Sequence, residues 1–245
     1  MKKMTLALIL MLALALLSSC GGNDNAQSGQ ADAGAKTIQK VPVHLDQTEY
    51  ILSQNIFLNN QASQYVGKTM KKKGIYGKLQ DAYNNVTRYY VWGYLDNTLC
   101  CDWQWEFVPE DPDKLPPPGS LITVEGTFTA DNKALDNYWL TNVTVTTTEK
   151  YVGPQAELNT EAMSDTLRRV QILNILGYPD VFEGKQIFTI GRVAAVNILE
   201  DPYYDNSWQI EFSSSADVPA TGTIILLKGS VAGGKIQSDT LEVTQ

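Results

Sequence analysis

The sequence predicts a mainly β protein with short α-helices, folded as two related small barrels. Three observations predict this class. Stretches rich in Thr, Val, Ile, Tyr and Trp alternate apolar with polar residues, as half-buried strands do. Several of these stretches occur a second time, in the same order, later in the chain. A segment with helical periodicity precedes each copy.

The N-terminal segment, residues 1–19, is predicted to be a signal peptide. Lys2 and Lys3 precede a nearly uninterrupted apolar run from Met4 to Leu17. The run is shorter than the about 20 residues that a membrane-spanning helix needs, and it is typical of a secretory signal. Its last residues, "LSSC", resemble the lipobox of bacterial lipoproteins. The resemblance implies cleavage before Cys20 and lipidation of Cys20.

Residues 20–40 are predicted to be a flexible tether. The stretch "GGNDNAQSGQADAGAK" contains no aromatic and no large aliphatic residue. Such a segment cannot bury enough apolar surface to offset the entropy lost on ordering it. Together with a lipid on Cys20, it predicts an extracytoplasmic protein that is anchored to the inner or outer membrane and whose folded part begins near Val41.

The charge balance disfavours nucleic acid as a partner. The chain has 19 basic and 27 acidic residues and a formal net charge of −8. A protein of this charge is repelled by nucleic acid and by anionic lipid. The one basic cluster, "KTMKKKG", would place its lysines alternately on the two faces of a strand, which favours a solvated edge over a binding stripe.

The repeat begins with a glycine-bent strand. "YVGKTMKKKGIYG" from Tyr65 matches "FEGKQIFTIGRVA" from Phe182, and in both a Gly-Lys pair is followed by a second glycine. Glycine inside a strand marks a bulge, a bend or a close backbone approach, and small barrels need such bends to close. We therefore interpret each of these segments as the strongly coiled first strand of a barrel.

The later strands of the two copies also match. Each copy continues with a "WQxEF" strand, a strand with two glycines and an alternating closing strand. The matching pairs are "WQWEF" (103–107) with "WQIEF" (208–212), "PGSLITVEGTF" with "TGTIILLKGSV", and "YWLTNVTVT" with "IQSDTLEVT". The interval between the first strand and "WQxEF" is shorter in the second copy, which predicts a lost or shortened second strand and an edge that leans on the first copy or on the linking helix.

A helix is predicted before each copy, over "TEYILSQNIFLNNQ" and "TEAMSDTLRRVQILNIL". The second helix is expected to bury one apolar stripe, to be capped by Asn159 or Thr160, and to end at Gly177 before Pro179. We expect each helix to cover its own barrel rather than to form a groove for a partner. The predicted stripe consists of Met163, Leu167, Val170 and Leu173.

The helix predicted before the first copy is followed by the pattern N-x-x-A-x-x-Y-x-G-K and a later glycine. The residues of this pattern are Asn59, Ala62, Tyr65, Gly67, Lys68 and Gly74. The pattern resembles a group of OB-fold families known as tRNA-anticodon-binding-like, and "PGSLITVEGTF" is similar to a fourth OB strand. The stretch that contains Cys100 and Cys101 is also similar to bacterial lipoproteins of unassigned function and to extracytoplasmic parts of some permease subunits.

This resemblance covers most of residues 47–148 and, more weakly, 160–245. It implies two tandem OB-like β-barrels: a first domain with its N-terminal helix in residues 41–152, and a helix with a reduced second domain in residues 153–245. The OB barrel carries many unrelated activities, so the resemblance implies a fold and no particular chemistry.

Cys100 and Cys101 have no counterpart in the second copy, and the chain contains only three cysteines. Three interpretations stay open. The thiols pack on a strand or turn, or they form a strained vicinal disulfide in an oxidising envelope, or they bind a soft metal. Further ligands for such a metal would come from Asp96, Asp102 or His44.

The sequence contains no recognisable enzyme motif. It has one histidine, no Ser/His/Asp or Cys/His arrangement and no phosphate-binding glycine loop. We therefore expect no catalytic activity and no cofactor. Aromatic residues concentrate in the first copy, and Trp92, Trp103 and Trp105 are candidate binding residues if strand alternation turns some of them outward.

The predicted function is a non-catalytic binding or assembly module of the cell envelope, with a protein, peptide or glycan as ligand. One alternative is a metal- or redox-linked accessory of a transporter that uses Cys100 and Cys101. A second alternative is OB-type nucleic-acid binding, which charge and compartment disfavour.

Overall fold

The computed structural model describes residues 47–57, 61–94, 102–130 and 138–244. Within these ranges the predicted fold class is confirmed, because the chain is mainly β and forms two tandem OB-like barrels, each preceded by a helix. The predicted signal peptide and tether lie outside the described residues, as do Cys20, Cys100 and Cys101.

The first barrel closes on itself in the strand order of an OB-fold. Its order is β1-β2-β3-β5-β4, and β4 pairs back to β1. All neighbours are antiparallel except β3 and β5. The strands are β1 (Thr69–Asp81), β2 (Val86–Tyr94), β3 (Asp102–Phe107), β4 (Leu121–Ala130) and β5 (Tyr138–Glu149). Two short 3-10 helices, Ala62–Gln64 and Pro112–Lys114, lie in the connections.

The second barrel repeats this order with a reduced second strand. Its order is β7-β8-β9-β11-β10, with β10 paired to β7. The strands are β6 (Leu158–Asn159), β7 (Gln186–Ala195), β8 (Ile198–Glu200), β9 (Gln209–Ser214), β10 (Ile224–Ala232) and β11 (Lys235–Thr244). β8 spans 3 residues, as the shortened interval predicts, and β6 adds a short parallel strand to the start of β7.

Gly67 and Gly184 occupy equivalent places in the two barrels. Their φ angles are +82° and +75°, in the left-handed region that favours glycine. The amide of Gly67 donates to the carbonyl of Phe128 at 2.9 Å, and the amide of Gly184 donates to that of Val231 at 2.8 Å. Phe128 and Val231 are themselves matched in the repeat, so the sequence duplication is also a duplication of backbone geometry.

The glycines inside the first strands permit close approach of a neighbouring strand. A Cβ atom on Gly74 would lie 2.3 Å from the carbonyl oxygen of Trp92. A Cβ atom on the equivalent Gly191 would lie 2.3 Å from the side chain of Leu199. In each barrel another group fills the space that a Cβ atom would need. This group is the backbone of Trp92 in the first copy and the side chain of Leu199 in the second.

The helices pack on the barrels that they precede. These helices are α1 (Gln47–Phe57), α2 (Asp165–Gly177) and the short α3 (Pro179–Phe182). Ile56 of α1 belongs to the core of the first barrel, and Ile172 and Ile175 of α2 belong to the core of the second. Packing of an apolar face, rather than intrinsic propensity, holds such short helices in place.

The predicted buried stripe of α2 is wrong in part. Val170 and Leu173 are 38% and 45% exposed, although Met163 and Leu167 are buried as predicted. The face that α2 buries is instead formed by Leu167, Arg168, Gln171, Ile172 and Ile175. The helix contacts both barrels, and Gln171 is buried because it bonds with Gln80 of the first barrel, whereas Arg168 is buried against its own segment.

The predicted cap of α2 is also wrong, because the helix begins later than expected. The hydroxyl of Ser164 accepts a hydrogen bond from the amide of Leu167 at 3.2 Å, which makes Ser164 the N-cap. Asn159 belongs to β6, and the amide of Thr160 donates to the carbonyl of Phe188. The predicted end at Gly177 is confirmed.

Candidate functional site

The two barrels meet along a surface formed by β1, β2 and α2. Leu79, Met163 and Leu167 form a buried cluster there, and the partly buried Tyr90 packs against it. Ala82, in the turn after β1, joins the core of the second barrel. The second copy therefore contacts the first through α2 and the residues that precede it.

Polar contacts cross the same surface at Gln80. Its backbone amide donates to the Gln171 side chain at 2.9 Å. Its carbonyl accepts from the Asn174 amide group at 3.2 Å. Gln171 is fully buried, so these hydrogen bonds satisfy groups that would otherwise be costly to bury.

Trp92, one of the predicted binding residues, lies in this interface. Trp92 is 5% exposed, and its Nε1 donates a 2.9 Å hydrogen bond to the carbonyl of Ala162. The ring also packs edge-on against Tyr94, with centroids 5.5 Å apart. Trp92 therefore joins β2 to the segment before α2 and presents little surface to a ligand.

Trp105 lies in the core of the first barrel and is 3% exposed. The ammonium group of Lys72 lies 4.4 Å from the centre of its ring, in cation–π geometry. Lys72 is 1% exposed, whereas its neighbours Lys71 and Lys73 are both exposed on the other face of β1. The predicted alternation of these lysines thus turns one of them into the barrel.

Trp103 is the third predicted binding residue and is half-buried. Of the three tryptophans, Trp103 alone is more than slightly exposed as a residue, and its Nε1 is buried. Trp92, Trp103 and Trp105 therefore do not form one open aromatic face of the kind that stacks on sugar rings.

The cysteine pair lies outside the described residues, but the residues that flank its segment are described. Tyr94 ends β2 and pairs with Asp102, the first residue of β3. Asp102 accepts a 3.1 Å hydrogen bond from the hydroxyl of Thr166 in α2. Burial, together with the negative charge of Asp165, raises the pKa of Tyr94. The metal- or redox-linked role of Cys100 and Cys101 stays a prediction.

A buried arginine of α2 donates hydrogen bonds to the segment that precedes this helix. Arg168 is 1% exposed and its guanidinium donates to the carbonyls of Thr160 and Met163 and to the carboxylate of Asp165, at 3.1, 3.2 and 2.8 Å. The ring of Tyr203 lies 6.0 Å away. No local sequence signal marks this residue as buried, because an arginine in a helix is ordinarily solvated.

A second arginine joins three strands on the first barrel. Arg88 donates to Asp81 at 3.0 Å and to Glu106 at 3.0 Å. Burial raises the pKa of Glu106, and Arg88 offsets part of this effect. The pKa of Asp81 is lowered even though partial burial acts to raise it, because Asn84 and Arg88 donate hydrogen bonds to its carboxylate.

The outer face of α2 and the adjoining α3 carry an apolar strip. We use this name for five side chains that are each between 36% and 45% exposed: Val170, Leu173, Leu176, Tyr178 and Val181. The helix spacing places Val170, Leu173 and Leu176 next to one another on successive turns. Single exposed apolar side chains are ordinary, but a contiguous group of them is typical of an interaction site.

The apolar strip continues at Leu176 into a cleft of about 400 Å³ on the second barrel. Its walls are the end of α2, strands β8 and β9, and the turn between β10 and β11. The lining residues are Leu176, Pro179, Ile198, Gln209, Ile210, Glu211, Gly233, Gly234 and Lys235.

The two charged side chains that line the cleft pair with each other. Lys235 forms an ion pair with Glu211. The carboxylate of Glu183 accepts a 2.8 Å hydrogen bond from the amide of Gly233, which orders the glycine turn. Gly233 and Gly234 both have positive φ, as suits a two-residue hairpin turn between β10 and β11. The cleft offers apolar contacts and hydrogen bonds, and the described residues that line it include no histidine, serine or cysteine.

Neither a metal centre nor a membrane span is found in the part of the chain that the structure describes. No group of three or more His, Cys, Asp or Glu side chains there is arranged to hold a metal ion. No helix in those ranges is long and apolar enough to cross a bilayer. Comparison of the chain with protein-family models and with curated proteins finds no match.

Proposed function

We propose that this chain is a lipid-anchored protein of the bacterial cell envelope that acts as a non-catalytic binding module for another protein. The lipobox-like end of residues 1–19, Cys20, and the polar composition of residues 20–40 support the anchor. The observation that carries the binding role is the apolar strip, which is contiguous with the cleft at Leu176.

The chemistry of this surface favours a protein ligand over a glycan. Glycan sites rely on exposed aromatic rings, and Trp92 and Trp105 are both buried. The strip is instead mostly aliphatic and lies on a helix, which is the kind of surface that packs against apolar side chains of a partner.

Charge around the strip does not select a strongly charged partner. The acidic groups Asp180, Glu183 and Glu211 lie near it together with the basic groups Arg169 and Lys235. Lys235 and Glu211 neutralise each other. We therefore expect the ligand to be a protein segment that inserts apolar side chains between the strip and the glycine turn.

Site-specific photo-crosslinking in intact cells tests this proposal. A photoreactive amino acid is introduced at Leu173 or at Leu176 of the full chain, and cross-linked products are resolved by mass. We expect the same discrete protein partner at both positions. A matched control places the probe at Val152, which is 94% exposed and lies outside the strip, and should give no such product.

Specificity for the strip is tested by a second substitution in the same chain. Leu173→Asp, combined with the probe at Leu176, should abolish the cross-linked product because a carboxylate disfavours apolar packing. Equal products from Val152, products that survive Leu173→Asp, or cross-links to phospholipid alone would each contradict a protein-binding strip.

A further inference from the structure

One edge of the closing strand of the first barrel is unpaired over most of its length. Along one edge, from Tyr138 to Glu149, β5 pairs with β4. Along the other edge it pairs with β3 only at Trp139 and Leu140. Among the described residues, no strand pairs with this second edge beyond Leu140, and its backbone groups there are available to another strand.

The strand is bulged near both ends of this edge, at Asn142, whose φ is +51°, and at Thr148, and between the bulges it carries none of the residues that prevent strand association. The sequence from Thr141 to Thr148 is "TNVTVTTT", which contains no charge, no proline and no glycine. Val143 and Val145 turn toward the barrel, and Thr144 and Thr146 are exposed. Threonine and valine are among the residues that most favour pairing in a sheet.

The second barrel provides an internal comparison. β11 likewise pairs with β9 only as far as Ser238, which leaves its later residues at an edge. In the matched registers, Thr146 lies opposite Thr123 and Glu242 lies opposite Leu226. Thr146 and Glu242 are therefore equivalent positions of the repeat.

The two edges differ in charge at this position and beyond it. β11 carries the carboxylates of Asp239 and Glu242 along its edge, whereas β5 is neutral from Thr141 to Thr148. Charged side chains on an edge oppose pairing with a like-charged strand. The two copies therefore share the unpaired edge, but only the edge of β11 carries charged side chains that oppose pairing.

We propose that the β5 edge between the two bulges, residues 143–147, pairs in antiparallel fashion with the β5 edge of a second copy of this chain. The chain carries a formal net charge of −8, so two copies repel unless they meet at a neutral surface, and this edge is such a surface. An antiparallel pair is self-complementary about a two-fold axis. Such an axis near Val145, in the middle of the neutral stretch, brings threonines of both copies opposite one another, a favourable cross-strand combination.

The paired segment is about 16 Å long, at about 3.3 Å per residue. Pairing of a single strand buries less surface than most stable dimers do. Confinement to a membrane would raise the effective concentration of the copies and favour a weak dimer of this kind. This inference concerns the first barrel and does not depend on the apolar strip of the second.

Sedimentation velocity of the purified full chain in detergent micelles tests the proposal. A reducing agent is included so that the cysteines form no covalent dimer. We expect a concentration-dependent dimer, and we expect Thr146→Glu to raise its dissociation constant at least tenfold. The substitution introduces the residue type of Glu242, and the two new carboxylates would lie within about 8 Å of each other across the axis.

Thr240→Glu is the matched control, since it adds the same charge to the exposed face of β11 and should leave the dimer unchanged.

Hydrogen exchange of the wild-type chain gives a second measurement that needs no variant. Amides of residues 143–147 that face the free edge should become protected as the concentration rises. A monomeric wild type, or an unchanged dimer in Thr146→Glu, overturns the proposal. Protection of the edge only on addition of a synthetic extended peptide would also overturn it.

Discussion

The indole of Trp92 donates its hydrogen bond to the carbonyl oxygen of Ala162, and this contact joins the two barrels. The donor lies on the second strand of the first barrel, and the acceptor lies 70 residues later, just before the helix of the second barrel. Both residues are buried. The second copy has only a three-residue strand in place of β2, so this contact has no counterpart on that barrel.

We expect Trp92→Phe to lower the unfolding free energy more than the same substitution at Trp208 does. It leaves the Ala162 carbonyl buried without its donor, which costs about 1–3 kcal/mol. Trp208→Phe is the matched control, because Trp208 is 3% exposed and its Nε1 has no hydrogen-bond partner within the described residues. Urea unfolding of both variants measures the difference. Equal losses of unfolding free energy would show that the hydrogen bond contributes nothing.

The two equivalent glycines predict equal effects in the two barrels. Gly67→Ala and Gly184→Ala should each lower the unfolding free energy by about 1–2 kcal/mol, because a left-handed backbone is unfavourable for alanine. A Cβ atom would meet no other atom within 4 Å at either site, so the cost comes from the backbone alone. Thermal denaturation measures this cost.

Gly177→Ala serves as the control for these glycines. Gly177 is also free of neighbours within 4 Å and ends α2 without a positive φ, so alanine there should be neutral or slightly stabilising. A tolerated alanine at Gly67 together with a destabilising one at Gly184 would show that the two positions are not energetically equivalent.

Removal of the buried guanidinium of Arg168 should be severe. Arg168→Met leaves the carbonyls of Thr160 and Met163 and the Asp165 carboxylate without this donor, and we expect a loss of about 3–5 kcal/mol. The neighbouring Arg169 is exposed, so Arg169→Met should change stability by less than about 0.5 kcal/mol. Chemical denaturation compares the two, and similar small losses would argue that water replaces Arg168 as the donor.

The network around Arg88 predicts a pH dependence. Burial raises the pKa of Glu106 in the folded chain, so its ionised form is disfavoured there and stability falls as pH rises through the interval between its unfolded and folded pKa values. Arg88→Met removes the compensating charge and should raise this pKa further. The variant should therefore lose more stability at about pH 7 than at about pH 4, near the usual pKa of glutamate.

Asp81 also makes the stability loss of Arg88→Met larger at neutral pH than at acidic pH. Its pKa is lowered in the folded chain, so it contributes stability above its unfolded pKa that is lost as pH falls through the folded value. Without Arg88 part of that contribution disappears at neutral pH. Urea unfolding at both pH values tests the combined effect. A loss that is independent of pH would exclude a charge effect at either carboxylate.

The sequence by itself determined the number, order and kind of the main elements. Repeated glycine spacing and period-two alternation depend on local backbone geometry, so they identify β1 and β7, and β4 and β10, without any knowledge of their neighbours. The shortened β8 followed from a simple difference in spacing between the copies. The end of α2 at Gly177 followed from the residues that stop a helix.

Only the tertiary structure decided which faces are covered. Periodicity shows that Val170 and Leu173 share a stripe with Leu167, but the position of both barrels against α2 decides that Leu167 is buried and the other two are exposed. The inward side chain of Lys72 and the acceptor of Trp92 likewise depend on residues distant in sequence. Burial is a property of contacts between distant segments, and local patterning specifies only which residues lie on one face together.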